Sequence, residues 1–266
     1  IAKPAFESFP PILLMGLRFS FAAAILIWWF PIPRGYLIKI LIASFIANTL
    51  QYSITYTGLN HIDASAAVLL VQTEVPFGVI FAFFMLSEKP TFRALIGIGI
   101  AFIGVYILTG SPNLDGKIFG ISLTSLGSAI WAFGQVIVKP LSKEINPLAL
   151  VAWLALFSGP TLIFISAIIE GDTISHLTTA EINHWIIAFY LGFMMQPITY
   201  GCFYYVLKNN PLYKVLPIVT MGIPPTGLLA AIFLLGEKPT SELFIGGTVI
   251  IFGVIMILYK NKKEVT

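Results

Sequence analysis

The sequence predicts an all-α integral membrane protein, a ten-helix inverted repeat of five plus five helices, with the first helix largely missing from this chain. Three observations lead to this prediction: the composition, the length of the apolar segments, and a sequence pattern that occurs twice. Of the 266 residues, 58% are apolar and 10% are charged, and the mean hydropathy is +0.92. A soluble domain has about a quarter of its residues charged, so this composition excludes an ordinary water-soluble fold.

The composition and the motifs also exclude several kinds of site. A net charge of +3 is too small to indicate a nucleic-acid partner. The single cysteine, Cys202, excludes a disulfide framework, and the three histidines lack metal-ligand spacing. The sequence has no H-E-x-x-H, G-x-S-x-G or phosphate-binding G-K-S/T motif. It therefore predicts no metal, no cofactor and no enzymatic activity.

Nine segments are long and apolar enough to cross a bilayer, which takes about 20 predominantly apolar residues in a helix. Mostly short loops join them, and the longest loop covers residues 170–183. The predicted spans are 10–30, 36–57, 64–86, 92–109, 118–138, 148–169, 184–206, 212–235 and 242–259.

The chain repeats part of its own sequence. Residues 86–91 (LSEKPT) recur as LGEKPT 149 positions later. The same offset aligns Pro76 with Pro225, Gly97 with Gly246, and Gly104 with Gly253. A second match, at an offset of 136, aligns Lys3-Pro4 with Lys139-Pro140. We therefore predict one five-helix unit that occurs twice, over residues 1–110 and 117–260.

We predict that the beginning of the first copy lies upstream of this sequence. The second copy has a predicted helix over 118–138 that ends at Lys139-Pro140, so the first copy needs a helix that ends at Lys3-Pro4. Residues 1–6 then form the last turn of that helix. We expect about 20 further apolar residues upstream of Ile1 in the natural protein.

Because five is odd, the two copies cross the membrane in opposite orientations. The rule that basic loops stay inside predicts a multi-pass protein of the cytoplasmic (inner) membrane with both native termini in the cytoplasm. The basic residues of the predicted cytoplasmic side are Arg34, Lys39, Lys89, Arg93, Lys139, Lys143, Lys208, Lys214, Lys260, Lys262 and Lys263. The external side has Lys3, Lys117 and Lys238.

Inverted repeats are typical of secondary transporters, because two related halves can open in turn to either side of the membrane. The expected partners are therefore a small-molecule substrate and the lipid bilayer. A duplicated membrane protein without transport, a channel and an intramembrane enzyme are the alternatives. The oligomeric state stays open, and a monomer is compatible with the sequence.

Three sequence features resemble the EamA family of the drug/metabolite transporter superfamily. They are Pro10-Pro11 followed by Leu17-Arg18-Phe19, the segment from Trp131 to Lys139, and the Glu88 and Glu237 turns before Gly-rich helices. Within the superfamily, the chain is most similar to exporters of O-acetylserine, cysteine and related amino-acid metabolites. The resemblance implies ten helices, a central cavity and export driven by a proton or other gradient. A multidrug or lipophilic-cation exporter of the same fold is the alternative.

Arg18 and Glu74 are the only formal charges deep within the predicted spans. At a rise of 1.5 Å per residue, they lie roughly 12 Å and 15 Å from the outer ends of their helices. Two roles are open for them. They form a structural ion pair that lets two helices pack, or Glu74 binds a proton or a substrate ammonium group during coupling.

Prolines predict breaks in two spans. Pro76 has no N–H, so we expect the carbonyl of Gln72 to lose its helical partner. Pro224 and Pro225 predict the same break in the second copy. Such breaks are compatible with a packing kink or with irregular backbone that lines a cavity.

Polar and aromatic residues recur at helical spacing on three spans, which places each set on one helix face. They serve either as hydrogen bonds between helices or as the surface of a cavity. The residues expected to bind substrate are Asn48, Gln51, Tyr52, Gln72, Glu74, Trp131, Gln135, Gln196 and Tyr200. The aromatic belt at the membrane surface is expected to contain Trp28, Trp29, Trp185, Tyr204 and Tyr205.

Two further predictions concern helix packing. Glu88 and Glu237 lie at turns before proline, and we expect each to cap the helix that follows it. The glycines within 97–104 and 246–253 are expected to form close-packing surfaces.

Overall fold

The computed structural model describes residues 5–6, 8–109, 117–220, 229, 232–233, 236 and 240–258. Within these residues every regular element is a helix, which confirms the all-α class. The helices are α1 (Pro11–Leu26), α2 (Leu37–Ser44), α3 (Gln51–Leu59), α4 (Ala64–Val71), α5 (Glu74–Leu86), α6 (Phe92–Thr109), α7 (Ile118–Glu144), α8 (Pro147–Ile169), α9 (Thr173–Thr179), α10 (Ile182–Tyr190), α11 (Gln196–Asn209), α12 (Leu212–Thr220) and α13 (Ser241–Leu258). Outside the described residues lie Lys3, Pro4, Pro224, Pro225, Glu237 and Lys238.

Six helical segments in the described part of the chain are long and apolar enough to cross a membrane. They match six of the predicted spans and are Pro11–Trp29, Leu37–Leu59, Ala64–Leu86, Ile118–Glu144, Pro147–Ile169 and Ile182–Asn209. Two shorter apolar helices, Phe92–Ile107 and Ser241–Ile257, match two more. Of the predicted span 212–235, the structure describes α12 and three further residues.

The chain divides into two compact units. The first unit comprises residues 1–56 and 137–209, and the second unit comprises residues 57–136 and 210–266. Each unit therefore contains helices from both predicted copies. The reason is that helices of one copy pack on helices of the other: α1 on α8 in the first unit, and α6 on α13 in the second.

In the first unit, α1 packs closely on α8 through two glycines. A Cβ added to Gly16 would lie 2.7 Å from the Cγ1 atom of Ile163. One added to Gly159 would lie 2.8 Å from the backbone nitrogen of Ser20. Large side chains of α1, such as Leu13, fill the core beside this contact. The contact therefore depends on the absence of a side chain at both glycines.

In the second unit, α6 and α13 pack through a symmetric set of glycines. A Cβ on Gly97 would lie 2.5 Å from the carbonyl oxygen of Gly253, and one on Gly104 would lie 2.8 Å from that of Gly246. The helices run antiparallel along this contact, because the lower number on one meets the higher number on the other. The expected close packing is confirmed at these four glycines, whereas Gly99 faces open space.

Glu88 caps a helix that is remote in sequence. Its Oε1 accepts a hydrogen bond from the N–H of Leu212 at 3.0 Å, and its Oε2 accepts one from Tyr213 at 3.2 Å. These amides belong to the first turn of α12, where backbone donors have no helical partner. The prediction that Glu88 caps the next helix is therefore wrong. Thr91 caps α6 instead, because its Oγ1 accepts from the N–H of Ala94 at 3.2 Å.

Glu170 makes the equivalent contact in the first unit. Its two carboxylate oxygens accept from the N–H groups of Ile12 at 2.8 Å and Leu13 at 3.0 Å, at the start of α1. Ser166 donates a further hydrogen bond to Oε2 at 2.7 Å. A carboxylate is stabilised at a helix N-terminus by the unpaired amides and by the helix dipole. Both glutamates therefore cap and stabilise the beginning of a helix.

Candidate functional site

Two spans contain a segment of π-helix in their interior. The first π segment, Phe45–Leu50, separates α2 from α3, and the second π segment, Leu191–Met195, separates α10 from α11. The two spans are the third helices of the two predicted copies. A candidate site glutamine, Gln51 or Gln196, follows each π segment directly. π-helical turns occur frequently at functional sites. The two π segments therefore favour a functional role for the residues around them.

Four tyrosines of the first unit, Tyr52, Tyr56, Tyr200 and Tyr204, form what we call the tyrosine cluster. The hydroxyl groups of Tyr52 and Tyr200 lie 2.9 Å apart and share a hydrogen bond. Tyr52 stacks on Tyr56 with ring centroids 5.9 Å apart, and Tyr204 lies 5.8 Å from Tyr200. The structure thus brings together two predicted site residues, Tyr52 and Tyr200, from α3 and α11.

Arg18 lies beside the tyrosine cluster. The next residue on α1, Phe19, packs against the ring of Tyr52 with centroids 5.6 Å apart. One guanidinium nitrogen lies 3.9 Å from the sulfur of Met15, and the buried Nε has no hydrogen-bond partner. Arg18 belongs to the first unit and Glu74 to the second. An ion pair between them stays a prediction.

Asn48 takes part in a hydrogen-bond network between helices. Its Nδ2 donates to the hydroxyl of Ser158 on α8 at 2.9 Å, and that hydroxyl also lies 2.7 Å from the hydroxyl of Ser44. Thr49 extends the contact by a hydrogen bond of 2.7 Å to Thr161. This arrangement favours a packing role for Asn48 among the two roles that the sequence left open.

Gln51 and Gln196 both keep an amide oxygen that is buried without a partner. The Nε2 of Gln51 donates to Thr55 one turn away, at 2.9 Å. Buried polar atoms are almost always hydrogen-bonded to protein or water. The two carbonyl oxygens therefore have unused acceptor capacity among the described residues.

In the second unit, the span Ala64–Leu86 is broken at Gln72 and Thr73. The helix α4 ends at Val71 and α5 begins at Glu74, which places Pro76 in the first turn of α5, where its missing N–H costs no hydrogen bond. The carbonyl of Gln72 accepts from the N–H of Val75 at 3.1 Å. The carbonyl thus lacks its usual helical partner at Pro76, as expected, and the break supplies a shorter-range one at Val75.

Glu74, Gln72 and Gln135 are buried in the second unit, with exposed fractions of 5%, 1% and 0%. Both amide atoms of Gln135 and the Nε2 of Gln72 lack a hydrogen-bond partner. For Glu74, the described part of this unit contains no hydrogen bond or ion pair to the carboxylate. Trp131 lies one turn before Gln135 on α7 and is half-buried.

The predicted aromatic belt is mixed in its exposure. Trp28, Trp29 and Tyr205 have exposed fractions of 85%, 78% and 64%, as a lipid-facing belt requires. Tyr204 is only 2% exposed and packs within the tyrosine cluster. Its assignment to the belt is therefore wrong, because α11 turns this residue toward the interior of the first unit.

Two features near the predicted site, the π segments and a close backbone contact, were not predicted from the sequence. The π segments have no sequence pattern that we recognised. The close approach of Gly192 to α1 was also missed: a Cβ there would lie 2.6 Å from the carbonyl oxygen of Arg18. A glycine in the middle of an apolar span was the available signal, since small residues let helix backbones meet.

The model of the EamA-like transporter family matches residues 1–110 and 118–259 of this chain. The chain belongs to the EamA-like transporter family. The resemblance drawn from the sequence is thereby confirmed, and the EamA-like protein is a multi-pass membrane protein of a transporter family that acts on small molecules.

Curated relatives extend over nearly the whole EamA-like chain. A probable amino-acid metabolite efflux pump of Escherichia coli (strain K12) is 26% identical, over 97% of this chain and 89% of the relative. A protein of the same description from Salmonella typhimurium (strain LT2) is 27% identical over the same shares. An uncharacterized transporter of Archaeoglobus fulgidus is 25% identical, over 94% of this chain and 90% of the relative.

A solved crystal structure has the same fold. It aligns with 96% of this chain and 90% of its own, with a TM-score of 0.71 and 16% sequence identity. At this identity the match establishes the fold alone.

Proposed function

We propose that this EamA-like protein is a secondary transporter that exports small polar metabolites, amino acids or their derivatives, across the inner membrane by alternating access. The proposal includes a ten-helix architecture of two inverted five-helix copies. Alternating access needs two related halves that are inverted with respect to each other, so that either can open to its own side.

The α6–α13 contact is the observation that carries the proposal. Gly97 meets Gly253, and Gly104 meets Gly246. The repeat offset of 149 residues converts the first pair into the second, with the partners exchanged. Two antiparallel helices related in this way have a local two-fold axis across them. This is the relation expected between the last helices of two inverted copies.

The capping threonines support the same relation. Thr91 caps α6 through the N–H of Ala94 at 3.2 Å, and Thr240 accepts from the N–H of Leu243 at the start of α13 at 3.4 Å. Thr240 lies 149 residues after Thr91, and Leu243 lies 149 residues after Ala94. The two copies therefore share local geometry as well as sequence, which favours a duplicated and inverted unit. The two stretches matched by the family model agree with this division.

The grouping of loops on the same side of the membrane is supported by contacts between helix ends. Glu170 contacts the start of α1, and both ends are predicted to be external. Lys117 forms an ion pair with Asp63, with the Nζ and Oδ1 atoms 3.2 Å apart, and both loops are predicted to be external. Glu88 contacts the start of α12, and both ends are predicted to be cytoplasmic. Each contact joins ends that the charge rule assigns to one side.

Cysteine labelling tests this orientation. In a Cys202→Ser background, single cysteines replace Lys117 and Lys208, and intact cells are treated with a membrane-impermeant thiol reagent. We expect position 117 to react from outside and position 208 to react only after the membrane is opened. Labelling of position 208 in intact cells would contradict the proposed topology.

The substrate class follows from the buried amides. In the second unit, Gln72 presents a donor and Gln135 both a donor and an acceptor that have no partner among the described residues. In the first unit, Gln51 and Gln196 each present such an acceptor. A small zwitterion satisfies such groups because it has both hydrogen-bond donors and acceptors, whereas a lipophilic cation leaves them unpaired at a large cost. The descriptions of the two enterobacterial relatives as amino-acid metabolite efflux pumps favour the same class.

Glu74 is the residue that we propose to couple export to a proton gradient. It is a carboxyl group within an apolar span, and only 5% of its surface is exposed. Such a group is costly to bury as an anion unless a cation or a proton neutralises it. Binding and release of a proton at this position in different states of the cycle would supply the coupling.

A counterflow experiment tests the proposed function. The purified protein is reconstituted in liposomes that are loaded with unlabelled L-cysteine under reducing conditions, and a trace of labelled L-cysteine is added outside. A carrier accumulates the label transiently and saturably, whereas a channel does not. Counterflow of a lipophilic cation together with none of cysteine or O-acetylserine would favour the multidrug alternative.

A further inference from the structure

Arg18 is held in the first unit by a close backbone contact. Its carbonyl oxygen lies against Gly192 in the second π segment, where an added Cβ would come within 2.6 Å. The same segment leads directly into α11, which presents Tyr200. The irregular turn and the missing side chain at Gly192 therefore bring the backbone of α1 at Arg18 next to the segment that leads to Tyr200.

The guanidinium group of Arg18 has no anionic partner among the described residues of its unit. Its Nε is buried without a hydrogen bond among the described residues. One terminal guanidinium nitrogen lies 3.9 Å from the sulfur of Met15, which is a weak acceptor. Among the described residues of the first unit, no carboxylate lies at ion-pair distance from it. A cation within an apolar span is costly unless an anion or a set of acceptors compensates it.

The hydroxyl groups of Tyr52 and Tyr200 supply a second donor next to this charge. They lie 2.9 Å apart, so one O–H donates to the other oxygen. The pair then retains one hydroxyl hydrogen that is not used between them. Phe19, the residue after Arg18 on α1, packs against the ring of Tyr52 with centroids 5.6 Å apart, which places this turn of α1 beside the hydroxyl pair.

We propose that Arg18, together with the Tyr52–Tyr200 hydroxyl pair, binds the carboxylate group of the exported amino acid. A guanidinium group presents several N–H donors in a planar fork, and a carboxylate accepts two of them at once. The remaining hydroxyl hydrogen donates to the same carboxylate. This inference rests on the proposed export of amino acids, and it assigns to Arg18 a substrate in place of a permanent structural partner.

The experiment compares two ligands that differ only in the carboxylate. L-cysteine and cysteamine share the thiol and the amine, and cysteamine lacks the carboxylate. Binding of each to the purified protein in detergent is measured by isothermal titration calorimetry in the presence of a reductant. We expect the unchanged protein to bind L-cysteine at least about tenfold more tightly than cysteamine, as charge-assisted hydrogen bonds require.

Variants assign the discrimination to residues. Arg18→Gln is expected to reduce the preference for L-cysteine to below about threefold while cysteamine binding stays unchanged. The double variant Tyr52→Phe/Tyr200→Phe removes both hydroxyls and is expected to reduce the preference by about three- to tenfold. The matched control is Tyr205→Phe, because Tyr205 is on the same helix and is 64% exposed. This control is expected to keep the full preference.

The outcomes separate the two proposals. Equal affinity of the unchanged protein for both ligands overturns the carboxylate site and leaves amino-acid export standing. Failure to bind either ligand, or any amino acid, overturns both proposals. If Arg18→Gln does not fold, the double variant Tyr52→Phe/Tyr200→Phe decides: a full preference for L-cysteine in this variant overturns the site, and a reduced one supports it.

Discussion

The first and second units differ in how their buried polar side chains are satisfied. In the first unit, several of them bond across helices, as Asn48 does with Ser158 and Thr49 does with Thr161. In the second unit, Gln72 and Gln135 are buried with unpaired amide atoms, and α6 and α13 meet through glycine backbones. A buried polar residue is therefore structural or a site candidate according to whether its hydrogen bonds are already made within the fold.

The unpaired atoms of the first unit sharpen this distinction. They include an amide oxygen of Gln51 and of Gln196, each next to a π segment, and the Nε of Arg18. The residues that bond across helices, Asn48 and Thr49, lie within the first π segment itself. The first unit thus contains packing residues and candidate ligand residues within a turn of each other, and only the hydrogen-bond pattern separates them.

The largest expected effect concerns the glycine contact of the second unit. Gly97→Leu places a side chain where a Cβ already comes within 2.5 Å of the Gly253 carbonyl oxygen. Because overpacking of this kind costs about 1–3 kcal/mol or more, we expect most of the folded protein to be lost. Size-exclusion chromatography of the detergent extract measures the monodisperse fraction.

Gly99→Leu is the matched control for this substitution. Gly99 lies on the same helix two residues away, and nothing lies within 4 Å of its added Cβ. The variant should elute as the unchanged protein does. Equal yields of the two variants would show that the α6–α13 contact does not stabilise the second unit.

The next effect is on energy coupling. Glu74→Gln keeps the shape of the side chain and removes its charge. We expect a folded protein whose transport no longer responds to a pH gradient, while exchange down a substrate gradient continues. The response is measured as uptake of labelled L-cysteine into liposomes that contain the protein in the inside-out orientation, with and without an imposed pH gradient. Uphill transport with an unchanged pH profile would leave Glu74 as a structural residue.

Opposite outcomes are expected when one buried amide of each unit is replaced by leucine. Asn48→Leu removes the bond to Ser158 and is expected to lower the free energy of unfolding by about 1–3 kcal/mol. Gln135→Leu removes two unpaired polar atoms, so we expect equal or higher stability together with a loss of transport of about tenfold or more.

Thermal unfolding in detergent and cysteine counterflow measure these two variants side by side. The comparison between the units fails if Gln135→Leu is the less stable variant, or if Asn48→Leu is the one with the greater loss of transport after correction for the folded fraction. Either result would mean that unpaired atoms do not mark the site residues of this fold.

The smallest expected effects concern the two capping glutamates, which are alike in both units. Glu88→Gln and Glu170→Gln each replace a charged acceptor by a neutral one with a single carbonyl oxygen. We expect each to lower the free energy of unfolding by about 1 kcal/mol. Glu144→Gln, at the exposed end of α7, is the control and should leave the midpoint of thermal unfolding unchanged. A clearly larger loss of stability in one of the two variants would show that the two caps are not equivalent.

Much of the architecture was predictable because the information is local. Apolar length predicts a span by itself, and six predicted spans match helices such as Pro11–Trp29 and Pro147–Ile169. The family was predictable from short motifs around Arg18, Trp131 and Glu88. The close-packing glycines of α6 and α13 were predictable because glycine in an apolar helix has few other uses.

The candidate site was predictable only as a set of residue types. Helical spacing placed Tyr52 and Tyr200 on polar faces of their helices, and the structure brings their hydroxyl groups to 2.9 Å. The same spacing did not separate Asn48, which bonds to Ser158, from Gln51, which keeps an unpaired oxygen. Periodicity reports the face of a helix, and a face says nothing about which atoms of the neighbouring helix lie opposite.

The sequence by itself determined the all-helical class, most of the spans and the family, since composition and local pattern are sufficient for each. The tertiary structure alone decided that Glu88 caps α12 instead of the next helix, that Tyr204 is buried, and that Gln72 keeps a partner for its carbonyl. The physical reason is that hydrogen bonds and close contacts depend on positions in space. Glu88 and Leu212 are 124 residues apart in the chain, and only packing brings them together.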